Sequence, residues 1–332
     1  MSQGDGTGSG APFVAELEAP AKLNLGLRIL GVRPDGYHEL DGLFVPLDLA
    51  DRVRLELREG EGVTLEVSAT PGVPGEVPAD GRNLAVRAAR AFLARARLRA
   101  EVRLRLTKRI PSPGGLGGGS SDAAAVLRGL QARFPGALRP AELADLALEL
   151  GADVPFFLGS EGLGPEPSRV GGVGERLRRE PGLPALALAL VHPGQRLETA
   201  RVYAEFDTQG GSLTGPRGAS TMPALQGPGG RAGRPDPGRW RSAGWLSQQL
   251  ENELEPAARR LCPAIAGLRE ALAASGALAV GLSGSGPTVF GIFPDAPAAS
   301  KALEGAAFRS HAFIRSGGWA GVATSVASDE SA

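Results

Sequence analysis

Between an alternation of apolar residues that ends at Leu106 and a helical periodicity that begins near Ser120, the chain reads Pro111-Ser112-Pro113-Gly114-Gly115-Leu116-Gly117-Gly118-Gly119-Ser120-Ser121-Asp122. Glycines allow positive φ and leave no Cβ to hold a ligand away from the backbone. Serines at a helix start add hydroxyl donors where the free amides and the positive end of the helix dipole already point. A strand, a glycine loop and a helix in that order therefore form a cradle for a phosphate group. A flexible linker has a similar composition, but a linker does not end in an N-cap followed by Asp122 in the first helical turn. The segment lacks the Gly-Lys-Ser/Thr triplet of a Walker loop and carries more glycine than a dinucleotide fingerprint needs.

The rest of the composition narrows the class. With 332 residues, 42% of them hydrophobic, the chain is long enough for two cored domains. Basic and acidic residues both number 36, which argues against nucleic acid or an acidic membrane as partner and for a small molecule. One cysteine, Cys262, excludes an internal disulfide framework and a multi-cysteine metal site. No apolar stretch approaches the ~20 residues of a membrane span, and no signal core is evident, so a cytoplasmic location is expected. All but three basic residues are arginine, the exceptions being Lys22, Lys108 and Lys301; the asparagines are Asn24, Asn83 and Asn252, and the tyrosines Tyr37 and Tyr203. Lys22, Asn24, Tyr37 and Lys108 fall in or beside glycine-rich segments, where an ammonium and a planar guanidinium are not interchangeable.

Alternation at Val53, Leu55 and Leu57, at Val63, Leu65 and Val67, and at Val102, Leu104 and Leu106 predicts half-buried antiparallel strands. Helices are predicted from Asn83 as N-cap through Ala96, from Ser120 or Ser121 through Phe134, and from Pro140 to Gly151. A further helix is expected around Ile265 to Leu272 and a strand from Val289 to Phe293. Residues 1–11 are expected to form a disordered tail, and 208–240, rich in Gly, Pro, Arg and Ser, a mobile surface insertion. Interleaved helices and mixed strands indicate an α+β class.

Four motifs in order carry a resemblance to a known family. Pro111 to Ala125 resembles the second motif of the GHMP kinases, and Gly281-Leu282-Ser283-Gly284-Ser285-Gly286 the third. Pro20-Ala21-Lys22-Leu23-Asn24-Leu25 with Gly36-Tyr37-His38, and Leu150-Gly151-Ala152-Asp153-Val154-Pro155-Phe156-Phe157, resemble the branch whose acceptor carries a cytidine diphosphate group. The resemblance implies a two-lobed GHMP-kinase-like fold, mixed sheets with helices packed on them and the active site in the cleft between lobes. It implies an N-terminal domain over 12–165, a C-terminal domain over 166–326 and a tail over 327–332.

The same resemblance implies an ATP-dependent phosphotransferase with Mg2+ bridging the phosphates. Asp153 is then the general base, where position alone would favour a capping aspartate, and Lys22 lies against Asp153 and the acceptor oxygen. Pro111 to Ser121, with Asn83 and Lys108, would line the ATP site. Asn24, Tyr37, His38, Thr199, Tyr203 and Gly284 would hold the substrate, Tyr37 by stacking on the base and His38 by hydrogen bonds to its edge. No dedicated metal ligands are expected. His192, at a strand end, is expected to be structural. Pro113 removes one amide from the loop start. A homoserine or mevalonate type of kinase, or a nucleotide-binding regulator without chemistry, are the competing readings; the oligomeric state is open.

Overall fold

A computed structural model describes residues 12–211, 250–310, 313 and 315–328. The tail expected over 1–11, the insertion expected over 208–240 from residue 212 on, and the tail expected over 327–332 from residue 329 on lie outside the described residues; the insertion's first four residues belong to a helical turn, Asp207–Gly211. Two sheets organise the chain. The first is built on two long antiparallel strands, β1 (Phe13–Val32) and β2 (His38–Arg58). The free edge of β2 pairs with β4 (Glu101–Lys108) in its second half and with β5 (Ser168–Gly172) in its first. Strands β3 (Gly62–Ala69) and β6 (Arg176–Arg179) complete six strands. The second sheet runs β10 (Trp319–Thr324), β7 (Ala187–His192), β9 (Val289–Phe293), β8 (Ala279–Leu282), antiparallel throughout.

The alternation predicted for the first sheet is present, because Val53, Leu55, Val102, Leu104 and Leu106 are all buried. The pairing differs from the expectation. Strand β3 is parallel to β4, not antiparallel, and β4 lies between β3 and β2. The crossover from β3 to β4 passes through α1 (Leu84–Ala96), and a helical connection of that length brings the chain back in the same direction. The first sheet also extends past residue 165, since Leu40 to Phe44 pair with Ser168 to Gly172.

Helices α1, α2 (Gly118–Arg133) and α3 (Pro140–Leu150) follow local signals. The Asn83 side chain accepts the Ala85 amide at the start of α1, and Pro140 opens α3. Helix α2 starts at Gly118, two residues before the expected serines, with Gly117 as N-cap; Asp122 consequently lies beyond the first turn. A short helix α4 (Val154–Leu158) follows Asp153. Helices α5 (Thr199–Phe206), α6 (Glu255–Leu261), α7 (Ala264–Ala274), α8 (Ala296–Leu303) and α9 (Ala306–Arg309) accompany the second sheet. Both apolar cores draw residues from the two halves of the chain: Ala21, Leu23 and Leu25 pack with Leu188, Leu190 and Phe290. The shared core sets the glycine loops of the two halves face to face.

Candidate active site

Segments distant in sequence close on one cleft of about 420 Å³, lined by Lys22, Asn24, the Pro111–Gly115 and Gly117–Ser120 stretches, Asp153, Thr199, Tyr203, Gly284 and Ser285, with Leu27, Leu40 and Phe44 among its apolar walls. Strand β1 delivers the first of these. Its register with β2 shifts between Pro20 and Lys22 and again between Asn24 and Gly26. Irregularities of this kind re-aim side chains, and here they flank the two polar residues of an otherwise buried apolar stretch. The Lys22 amide donates to the Leu116 carbonyl at 3.0 Å, so the strand is fastened directly to the glycine loop.

The Lys22 ammonium is 5% exposed, bonded to Asn24 Oδ1, 3.7 Å from Asp153 Oδ2 and 4.6 Å from the centre of the Phe44 ring. Burial pushes its pKa down, and the Asp153 charge opposes that shift. Asp153 precedes α4 yet its side chain makes no capping bond, and a third of it is exposed. The carboxylate is therefore left to face Lys22 and the cleft.

The glycine loop is shaped by contacts that only small residues allow. Gly117 has φ +72°, and a Cβ there would lie 2.6 Å from the Phe157 ring and 3.2 Å from Lys22 Cγ. Gly117→Ala is therefore expected to cost about 1 to 3 kcal/mol in stability and to weaken ATP binding; thermal unfolding and calorimetry check both, and unchanged ATP affinity would contradict it. The third motif locks onto the same loop: Ser283 Oγ donates to the Gly115 carbonyl at 2.9 Å. Gly284 has φ +56°, and a Cβ there would stand 3.1 Å from Asn24 Oδ1 and 3.4 Å from Lys22 Nζ.

Of the residues expected to line the phosphate segment, Pro111 to Gly115 and Gly117 to Ser120 do so. Leu116 points into the apolar core, and Ser121 is buried with no partner for its hydroxyl among the described residues. Asn83 is occupied as the cap of α1, with its amide donating to the Pro78 carbonyl. Lys108 does not reach the cleft either; it is 3% exposed and held between Asp51 and Asp122. Its ammonium has found carboxylates at the end of β4, which keep it under the loop.

On the opposite wall, Thr199 Oγ1 and Ser285 Oγ are 2.9 Å apart, joining α5 to the third motif. Burial, with Asp153 acting in the same direction, pushes the Tyr203 hydroxyl up to about 12. The His38 ring packs on Tyr203 with centroids 4.6 Å apart and bonds through Nε2 to Asp207 Oδ1 at 2.8 Å. Tyr37 does not converge with them. It sits at the turn between β1 and β2, 63% exposed, its amide bonded to Asp35 Oδ1. An Asx turn at Asp35 directs the backbone here and leaves the ring in solvent.

His192 is structural, as expected. Its Nδ1 accepts the Gly194 amide, so Nε2 donates to the Pro113 carbonyl at 3.0 Å and pins the loop start. Burial lowers its pKa, with the Pro113 carbonyl opposing, which keeps the ring neutral. Sequence reasoning missed Asn252, whose amide donates to the carbonyls of Leu282 and Gly284 and fixes the third motif. The scarcity of asparagine already marked it. Phe44, Asp51 and Asp207 carried no such mark, and the sequence marks Asp122 only as a first-turn residue of the helix.

Family models described as GHMP kinases N terminal domain and GHMP kinases C terminal match residues 83–161 and 235–309. A 4-diphosphocytidyl-2-C-methyl-D-erythritol kinase from Anaeromyxobacter sp. (strain K) is 45% identical over 290 residues, 85% of this chain and 81% of the relative. A crystal structure of 4-(cytidine 5'-diphospho)-2C-methyl-D-erythritol kinase is similar with a TM-score of 0.67 at 36% identity, covering 94% of this chain and 99% of that one. An L. major mevalonate kinase in complex with R-mevalonate aligns with a TM-score of 0.66 at 14% identity, over 96% of this chain and 98% of that one, a likeness of fold alone.

Proposed function

Because this chain belongs to the 4-diphosphocytidyl-2-C-methyl-D-erythritol kinases, within the GHMP kinases, we propose that its cleft moves the γ-phosphoryl group of ATP to the 2-hydroxyl of that cytidyl substrate, a step of the non-mevalonate route to isoprenoid precursors. The observation that carries the residue assignment is the approach of Lys22 to Asp153 at 3.7 Å beside the glycine loop. Phosphoryl transfer asks for positioning, charge neutralisation and a proton acceptor. Asp153 takes the hydroxyl proton, the acceptor oxygen bonds to the γ-phosphorus, and the bond to the β-phosphate oxygen breaks to release ADP. Lys22 stabilises the negative charge growing on the acceptor oxygen. The amides from Gly114 to Ser120 hold the triphosphate at the start of α2.

Mg2+ is proposed to enter with the nucleotide. Among the described residues no group of three His, Cys, Asp or Glu side chains forms a cage of its own, and magnesium bound through phosphates keeps most of its waters. No described helix is long and apolar enough to cross a membrane; a diphosphate-bearing substrate fits a cytoplasmic location.

The substrate's cytosine is assigned to the wall made by Tyr203 and His38, with Tyr37 stacking from the turn and Asn24 and Thr199 facing the linkage. The Tyr37 ring is 63% exposed and makes no ring contact among the described residues, so its substitution reports on binding. Tyr37→Ala is expected to raise the KM for the cytidyl substrate by about 5- to 150-fold, the equivalent of about 1 to 3 kcal/mol per stacked base, with the ATP KM unchanged. An unaltered cytidyl KM would remove Tyr37 from recognition. The reaction itself is tested by offering the cytidyl substrate, homoserine and mevalonate in parallel and detecting phosphorylated product by mass. Turnover confined to the cytidyl substrate is expected; phosphorylation of either acid in its place would overturn the reading.

A further inference from the structure

We propose that Lys108, Asp51 and Asp122 form the positioning group of the phosphate loop, fixing its two ends to the sheet so that its backbone is preset for a triphosphate. This rests on the reading that ATP phosphates lie on that loop. The three side chains are 3%, 0% and 2% exposed. They come from three elements: Asp51 from β2, Lys108 from the end of β4, Asp122 from α2.

Each end of the loop is tied. Asp51 Oδ1 accepts the amides of Arg109 at 2.5 Å and Ile110 at 2.9 Å, which sets the direction in which the chain leaves β4. Asp51 Oδ2 accepts from Lys108 Nζ, and the same ammonium donates to Asp122 Oδ2 at 2.7 Å, holding the helix that ends the loop. Between these ends lies Gly118, part of the cleft wall. A Cβ on Gly118 would stand 3.3 Å from Lys108 Nζ and 3.4 Å from Asp51 Oδ2, so the charged cluster lies one atomic layer beneath the surface a phosphate would meet.

The arrangement is costly as a core. Two carboxylates share one ammonium, and Asp122 Oδ1 has no partner among the described residues. Burial pushes the Asp122 carboxyl up to about 7; the charge of Asp51 adds to the shift and Lys108 opposes it. For Lys108, burial acts to lower the pKa, and the two carboxylates together outweigh it and raise it. Packed apolar side chains of similar volume would hold the elements at no such cost. What the ions add is direction: bonds to two successive loop amides and to the helix.

The test compares the wild-type enzyme with Lys108→Met, Asp122→Asn and the triple Lys108→Met/Asp51→Asn/Asp122→Asn, in which no unpaired charge is buried. Steady-state kinetics and thermal unfolding are read together. Expected for Lys108→Met is a rise in ATP KM of about 10-fold or more, the scale of loss from small misplacements at a reacting site, with the cytidyl KM unchanged. The triple variant should recover thermal stability and keep the raised ATP KM. Asp122→Asn, isosteric and one charge fewer, should show a smaller rise in ATP KM, and it keeps the test open should the lysine variants not fold. Unchanged ATP KM in the folded variants, or parallel changes in both KM values, would overturn the proposal. If Gly117→Ala also left ATP binding intact, the phosphate-loop reading itself would fail; if Gly117→Ala impaired it while the cluster variants did not, only the positioning role would fall.

Discussion

Asp153→Asn is expected to lose about 100-fold or more in kcat, the scale of a removed general base, while ATP affinity measured by calorimetry stays near that of the wild type. The carboxylate makes no capping bond to α4 and is a third exposed, so an amide of the same shape disturbs neither helix nor core. The side chain's one ionic contact among the described residues is Lys22. On the proposed mechanism, what the substitution removes is proton acceptance from the substrate hydroxyl. Equal turnover in the two proteins would take Asp153 out of the mechanism and leave positioning by the loop as the main source of rate.

Lys22→Met is the second large effect. Methionine keeps much of the buried stem, but Asn24 Oδ1 and Asp153 lose their cation, and the acceptor oxygen loses the positive charge that meets it. A fall in kcat of about 100- to 1,000-fold is expected, as when one preorganised electrostatic contact is removed, against a smaller change in ATP KM. The sign of the pH dependence follows from burial. Because the Lys22 pKa is pushed below the ordinary lysine value, raising the pH removes its proton earlier than for an exposed lysine. Wild-type kcat should therefore decline at alkaline pH below the usual lysine range, and the residual activity of Lys22→Met should lack that decline. A variant with wild-type kcat, or with the same alkaline limb, would show that the ammonium plays no part in the chemical step.

Both effects depend on a meeting that chain order hides. Features with local causes were legible in the sequence: Asn83 caps α1, Pro140 opens α3, and Gly114, Gly115 and Gly117 make a loop because a Cβ at each would meet a neighbouring atom at 2.8, 2.2 and 2.6 Å. The alternation at Val53, Leu55, Val102 and Leu104 marked buried strands correctly. Strand partners were not legible in the same way, since periodicity fixes which face is buried and says nothing of which edge is shared. That is why β3 turned out parallel to β4.

The role of Asp153 shows the same limit. A local reading favours a turn or capping aspartate, and the family resemblance pointed instead to a base; only tertiary packing brings Lys22 to it. Lys108 was expected at the nucleotide because the family resemblance implied it. Its partners, Asp51 and Asp122, are distant in sequence and draw it under the loop instead. Tyr37 and His38, adjacent in the chain, part company because the Asp35 turn leaves one ring in solvent while the other packs on Tyr203.

A crystal structure of the complex with a non-hydrolysable ATP analogue and the cytidyl substrate puts the two halves of the account in one map. The account predicts the terminal phosphate on the amides of Gly114 to Ser120 and the 2-hydroxyl oxygen within hydrogen-bonding reach of Asp153 and Lys22. An acceptor hydroxyl bound away from that pair, or a triphosphate seated off the loop, would contradict it.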